Sequence, residues 1–238
     1  MGRRRFVAVG HSIGLSEDGV HWREARISVH GDLAAAGWNG ERHVAVGGEG
    51  LIVHSDHGDW WAPATDSATA ETLTDVAWNG ERFVAVGYHG AIVHSTDGDH
   101  WQPASRPAVP FRVARPDDDP YQIYYYFSGI VWNGERFVAV GWGGEGNLGT
   151  VVHSSDGDRW ELAADHDHLA NEHFEAVAWS GERFVAVSYF SGTIMYSSDG
   201  DRWERATEIA TVDTLEDVTW GDGRFVAVGR NGTIVTSP

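Results

Sequence analysis

The residues best equipped for chemistry gather in three places along the chain. The densest runs from Arg112 and Arg115 through Asp117, Asp118 and Asp119 to Tyr121, Tyr124, Tyr125, Tyr126 and Phe127. Tyrosines on a loop can stack on sugars or planar ligands and donate hydrogen bonds from their hydroxyls. The same residues could instead form a self-packed lid. The second place is Asp165-His166-Asp167-His168, followed by Glu172-His173. Imidazole and carboxylate side chains of this kind can ligate a divalent metal, which makes His166, His168 and His173 candidate ligands. Their spacing matches no specific metal motif. The third is a set of short turns carrying Tyr88-His89, Trp142 with Asn147, Tyr189-Phe190 and Arg230-Asn231. For proton transfer the candidates are His89, Tyr124, Glu145, His168 and Glu172.

An internal repeat positions these residues. Phe/His-Val-Ala-Val recurs at Phe6, His43, Phe83, Phe137, Phe184 and Phe225, giving separations of 37, 40, 54, 47 and 41 residues by subtraction. Such a period is the mark of a repeat architecture, and it is about the length of a propeller blade. Each copy holds four strand-sized runs. Strand a ends in Trp38, Trp78, Trp132, Trp179 or Trp220; an Asn-Gly turn, as at Asn79-Gly80, leads to the Val-rich strand b. Asn-Gly between apolar runs is a strong hairpin signal. Strand c reads Ile/Val-Val-His-Ser, as at Ile92 to Ser95, and an Asp-Gly turn leads to strand d, which opens on Trp. The runs are too short and too often broken by glycine for helices. The expected fold is therefore all-β: a β-propeller of about six four-stranded blades filling residues 1–238 as one domain.

The c–d turns carry a family resemblance. Ser16-Glu17-Asp18-Gly19-Val20-His21-Trp22, Ser95-Thr96-Asp97-Gly98-Asp99-His100-Trp101, Ser154 to Trp160 and Ser197 to Trp203 resemble the Asp-box, or BNR, repeat. These copies are one residue shorter between Asp and Trp and lack the family's Thr. The second copy, Ser55 to Trp61, has His57 in place of the aspartate. The resemblance implies propeller blades and leaves activity open, because such turns serve sialidases, lectin-like domains and assembly factors alike. A sialidase would need an arginine triad, a Tyr–Glu pair and an Arg-Ile-Pro motif. The motif is absent, and Arg42, Arg82, Arg136 and Arg183 lie in the a–b turns. The resemblance is thus to the sialidase fold only.

The first copy begins at strand b and the last stops after strand c. The expectation is six blades with the first and last incomplete and packed side by side; a five-bladed ring with exchanged terminal strands is the alternative, and a truncated parent or a dimer that completes the ring would also explain the count. Those incomplete blades also offer a route to an oligomer. In an a-b-c-d meander the a–b and c–d turns share one rim, and the b–c and d–a connections share the other. The repetitive turns fall on the first rim, which reads as scaffold. The irregular segments fall on the second, where binding residues usually lie. One aromatic or polar side chain per blade, at Tyr88, His89, Trp142, Tyr189, Phe190 and Arg230, would ring the mouth of the channel. His54, His94 and His153 repeat at one position of strand c and read as packing or inter-blade hydrogen bonds. Asp59, Asp99, Asp158 and Asp201 repeat in the c–d turns and read as solvated turn residues, with calcium binding a lesser reading.

Composition narrows the partners. The chain has 238 residues, no cysteine, 17 basic residues against 35 acidic ones, and a formal net charge of −18. All the basic residues are arginine. A field of this sign repels phosphate backbones and anionic membranes, so neither nucleic acid nor membrane is expected as a partner. Disulfides and thiolate chemistry are excluded. The start of the chain lacks the apolar core of a signal peptide, which points to the cytoplasm. No organic cofactor is expected, and a divalent metal at the histidine-rich segment is the one cofactor the residues permit. Two functions stay open: a binding or scaffolding propeller for a small molecule, glycan or peptide, and a small-molecule enzyme (cyclase, lyase or hydrolase) using the same mouth.

Overall fold

Short β-branched runs closed by glycine turns can satisfy their backbone groups only by pairing with neighbouring strands. A computed structural model of the chain describes residues 5–105, 125–144, 148–164, 169, 172–190, 192–207 and 213–237. It falls into two compact units, one formed by Met1–Gly87 with Ala91–Pro103 and the other by Tyr88–Gly90 with Ala104–Pro238. Among the described residues there are six sheets; five are antiparallel meanders, and the second is an antiparallel meander with one further strand added in parallel at its edge.

The first unit holds three of them. Its first sheet is β1 (Phe6–Val9), β2 (Ile13–Ser16) and β3 (Arg23–Glu24). After the two-residue β4 (Arg26–Ile27), the second sheet is β5 (Leu33–Trp38), β6 (His43–Gly47), β7 (Ile52–Ser55) and β8 (Trp60–Pro63). The third is β9 (Leu73–Trp78), β10 (Phe83–Gly87), β11 (Ile92–Ser95) and β12 (Gln102–Pro103). In the second unit, the fourth sheet is β13 (Tyr125–Trp132), β14 (Phe137–Gly143), β15 (Leu148–Ser154) and β16 (Glu161–Leu162). The fifth is β17 (Phe174–Trp179), β18 (Phe184–Ser188), β19 (Ile194–Ser197) and β20 (Glu204–Arg205), and the sixth is β21 (Leu215–Gly221), β22 (Arg224–Gly229) and β23 (Ile234–Thr236). The b-c-d and a-b-c content of the first and last sheets is as the repeat predicts. The repeat gave no hint of β4, which leaves the first sheet and pairs parallel with β8.

One packing rule operates within each unit. Alternation along a strand sends successive side chains to opposite faces, so each sheet has two apolar faces. Val44, Val46 and Ile52 of the second sheet pack on Leu73, Phe83 and Trp101 of the third. Val138, Val140 and Val151 of the fourth pack in the same way on Phe174, Phe184 and Trp203 of the fifth. An aliphatic face thus covers the aromatic face of the following sheet. The same order holds for Ile13 and Leu15 over Trp61, and for Val185 and Val187 over Phe225.

The turns are held by their own side chains. Asn79 Oδ1 accepts from the amides of Glu81 and Arg82 at 2.9 and 2.8 Å, closing the a–b turn. In the c–d turn Ser95 Oγ accepts from the Gly98 amide at 2.8 Å, and Asp97 Oδ1 accepts from the amides of Asp99 and His100, each at 2.8 Å. Gly98 sits at φ +76°, and a Cβ there would lie 2.8 Å from Val44 Cγ2, so the turn closes on the preceding sheet only with glycine. In the second copy His57 replaces the aspartate, and the neighbouring Asp56 pairs with Arg42 at 2.7 Å instead. The Ser55 and Trp61 bonds of that turn are kept.

These amides favour ionised aspartates. The His21 backbone amide holds Asp18 well below the ordinary carboxylate range. At Asp97 burial opposes ionisation, but the His100 and Asp99 amides outweigh it and the net shift is downward. Asp156 and Asp199 shift the same way: burial again opposes ionisation, and the amides of Arg159 and of Arg202 outweigh it. A carboxyl group depressed on folding stabilises the protein fully above its unfolded value, near 3.9, and that contribution disappears as pH falls through the folded value. The thermal midpoint should therefore hold from neutral pH to about pH 5 and then fall steadily below about pH 4. A scanning-calorimetry series with a midpoint unchanged down to about pH 2 would contradict this.

The repeated aspartates Asp59, Asp99, Asp158 and Asp201 differ from their sequence reading. Asp99, Asp158 and Asp201 are not simply solvated: they tie the turn to the connection arriving from the preceding sheet. Asp99 Oδ1 accepts from the Thr65 amide at 2.7 Å and lies 3.4 Å from His54 Nε2. Asp201 Oδ1 accepts from the Ala164 amide at 2.8 Å and lies 3.3 Å from His153 Nε2. Asp158 takes both the amide and the hydroxyl of Ser105, at 2.7 and 2.6 Å. Asp59 instead pairs with Arg5 and Arg23. His153 is thus an inter-sheet hydrogen-bonding residue, and His54 makes the equivalent contact with Asp99. Asp99→Ala should cost about 1–2 kcal/mol, because a charge-assisted acceptor for a backbone amide is lost. Urea unfolding would read this, and an unchanged midpoint would remove the latch.

Candidate functional site

The second unit carries a continuous row of rings at the b–c ends of its sheets. Tyr88, in the 3-10 turn Tyr88–Gly90, meets Tyr126 edge-on with centroids 5.1 Å apart, and His89 lies 5.7 Å from the same ring. Tyr126 stacks on Trp142 at 4.3 Å, and Trp142 stacks on His173 at 4.7 Å with the planes 9° apart. His173 meets the edge of Phe190 at 4.4 Å, and Phe190 meets Tyr189 at 5.1 Å. The row ends where the Arg230 guanidinium lies 4.7 Å over Tyr189.

Backbone geometry explains why the rings line up. Trp142 extends strand b, where it pairs with Tyr126 at the start of strand a. In the next sheet the Tyr189 amide donates to the His173 carbonyl at 2.8 Å, which brings the b–c turn beside the residue preceding strand a. The row therefore alternates between b–c turns and strand-a starts. Its three central rings cover one another, making a stiff ledge, while Tyr88 and Phe190 are 44% and 63% exposed.

Charge is concentrated at the Arg230 end. Arg230 Nε donates to Glu216 at 2.9 Å. Glu175, half-buried, has its pKa raised, first by burial and then by the nearby Glu216 carboxylate, with Arg230 opposing. Both glutamates sit at the bulged position of strand a, where the register shifts between Phe174 and Ala176 and between Leu215 and Asp217. A bulge re-aims a side chain out of the regular ladder.

The structure brings Tyr88, His89, Trp142, Tyr189, Phe190 and Arg230 into one row. Tyr125 is half-buried at the start of β13, with its hydroxyl beside Gly144. His173, a metal candidate in the sequence, is stacked between Trp142 and Phe190 and is a member of the row. Among the described residues no group of three or more His, Asp or Glu side chains could hold a metal ion. Glu172, an acid–base candidate, is buried and ion-paired with Arg205. Arg112, Arg115, Tyr121, Tyr124, Glu145, Asn147, His166 and His168 lie outside the described residues. Tyr126 belongs to the tyrosine-rich run but was not among the residues expected to ring the mouth; it joins Tyr88 to Trp142, and its signal was its place at the start of strand a, one residue before Phe127.

The first unit has a separate cleft of about 520 Å³ at the b–c turn of its second sheet, lined in part by His30, Asp32, Glu49, Leu51 and Ser67. Glu49, His89 and Asn231 share the middle position of the b–c turn, with φ of 54°, 56° and 56°. This left-handed geometry costs a non-glycine residue about 1–2 kcal/mol. That shared position is the sequence signal that could have pointed to Glu49.

No protein-family model matches the chain, and no curated protein does. Solved structures do. The chain aligns with a chain of the nidogen/laminin complex at TM-score 0.61 and 10% identity, covering 98% of this chain and 88% of that one. It aligns with YCF48 bound to D1 peptide at TM-score 0.68 and 16% identity, covering 99% and 74%. With the computationally designed Ika8 protein the values are 0.59, 10%, 98% and 80%. The nidogen and YCF48 matches are β-propellers. The fold is a β-propeller. In the propeller the six sheets are blades, and the row of rings follows the b–c ends of blades in the second unit. Among the described residues no helix is long and apolar enough to cross a membrane.

Proposed function

We propose that this propeller is a binding or scaffolding module that receives a peptide segment of a partner protein across the aromatic row of its second unit. One observation carries the reading: Tyr88 and Phe190 stay exposed at the two ends of a ledge of stacked rings, whereas Phe83, Phe127, Phe137, Phe174 and Phe184 are completely buried. Large exposed aromatics held rigid in advance are the usual anchors of an interface, because little side-chain entropy is lost on binding. An extended row suits a chain-like ligand better than a compact one. The net charge of −18 and the Glu175–Glu216 pair favour a basic peptide with apolar or aromatic anchors. That a propeller of similar fold was solved with D1 peptide supports the peptide class. We read the c–d turns as Asp-box turns, a scaffold feature, supported by the Ser, Asp and Trp bonds that repeat in them.

Selection from a displayed library of random peptides tests the proposal. Enrichment of basic, aromatic-containing sequences is expected. Failure to enrich any peptide, alongside binding of a glycan or small molecule, would transfer the site to those ligands.

A further inference from the structure

The chain contains four Asn-Gly pairs, all among the described residues: Asn39-Gly40, Asn79-Gly80, Asn133-Gly134 and Asn231-Gly232. Glycine has no Cβ, so the main-chain nitrogen after each asparagine is unshielded. That nitrogen belongs to the same chain as the carboxamide it could attack, which makes the attack intramolecular. What separates the four pairs is how the carboxamide is held. In the three a–b turns its oxygen accepts from two backbone amides. For Asn39 these are Glu41 and Arg42 at 2.8 and 2.6 Å, for Asn79 Glu81 and Arg82 at 2.9 and 2.8 Å, and for Asn133 Glu135 and Arg136, each at 2.8 Å. Among the described residues the Asn231 oxygen accepts no such bond; its amide nitrogen makes one long bond, to Asp213 Oδ1 at 3.5 Å. Asn231 stands in the middle of a b–c turn at φ 56°, where the other blades that share this geometry carry Glu49 and His89, which have no carboxamide.

We propose that Asn231 is a modification site, which converts through a cyclic imide to an aspartyl or isoaspartyl residue while the fold protects the other three asparagines. In this step the Gly232 nitrogen gives up its proton and bonds to Asn231 Cγ. The Cγ–Nδ2 bond breaks, and the side-chain nitrogen leaves as ammonia. Water then opens the imide at either carbonyl and leaves a carboxylate; water is the only co-reactant, and nothing is oxidised or reduced. In the a–b turns the carboxamide has to turn its face to the glycine nitrogen before attack, which breaks both of its bonds to the backbone. Two bonds of ordinary net strength slow ring closure there by about tenfold or more. The product changes the charge of the b–c turn. Asp213 now takes the Asn231 amide and, at 2.9 Å, the Thr233 hydroxyl. Modification replaces the Asn231 donor with a second carboxylate, which Asp213 repels. The adjoining Arg230 lies over Tyr189, so the change falls at that end of the aromatic row. The inference does not depend on the peptide-binding reading.

Incubation of the full chain in mildly alkaline buffer, followed by cleavage at arginine and mass spectrometry, tests this. Such cleavage puts each Asn-Gly pair on a separate peptide. The peptide that begins at Asn231 should gain the mass of an amide-to-acid conversion at least about tenfold faster than the three a–b peptides. The same incubation in concentrated urea should bring the four rates together, because the reacting dipeptide is the same and only the fold distinguishes the sites. Four similar rates in the folded protein, an a–b asparagine that reacts faster than Asn231, or a difference that survives in urea would each overturn the proposal.

Discussion

Trp61→Ala should destabilise the protein by about 3–5 kcal/mol, while Trp60→Ala should change stability by no more than about 0.5 kcal/mol. The two tryptophans are adjacent, yet Trp61 is 0% and Trp60 57% exposed. Trp61 packs in a cluster with Ile13, Leu15, Leu33, Ala45 and Val53, and its indole donates to the Gly58 carbonyl at 2.7 Å. Truncation removes the largest side chain of that cluster, opens a cavity between the first and second sheets, and leaves the Gly58 carbonyl without its donor. Trp60 points to the other side of the strand, so its loss changes little beyond solvent-facing area. Urea unfolding of both variants reads the difference. Similar losses would mean that the two residues do not alternate between core and solvent.

Phe190→Ala should weaken a selected peptide by about tenfold to thirtyfold, corresponding to about 1.4–2 kcal/mol, and leave the thermal midpoint almost unchanged. Phe190 is 63% exposed and touches the row through the edge of His173 and of Tyr189, so little of the fold depends on it. Its ring is the most exposed member of the row and the one a ligand could cover most completely. Unchanged affinity in a folded variant would remove Phe190 as an anchor and count against the whole ledge.

The contrast between these residues shows what could be read before any coordinates. The repeated tryptophans and the Phe-Val-Ala-Val runs set strand number, order and face, because alternation and turn chemistry act over a few residues. Trp61 could be placed in the core from the motif alone. Phe190 could be placed on a b–c turn, but its neighbours could not, since Tyr126 and His173 reach the row from the start of strand a across long connections. His173 was legible as a histidine beside Glu172 and the histidine-rich segment, but its stack on Trp142 was not, because that ring comes from another sheet. Glu172 was legible as a carboxylate near that segment; its partner Arg205 lies far along the sequence, so its burial in an ion pair was not. The role of Asp99 and Asp201 was hidden for the same reason, because their partners come from the preceding sheet.

Hydrogen exchange on the wild-type protein, with and without a peptide from the library, addresses the division of labour between the two rims. Ligand should slow exchange at the amides of Tyr88–Gly90, Trp142, Tyr189 and Phe190, and leave the c–d turns near Asp97, Asp156 and Asp199 as they were. Protection confined to those c–d turns, with the ring-bearing segments unaffected, would place recognition on the rim read here as frame.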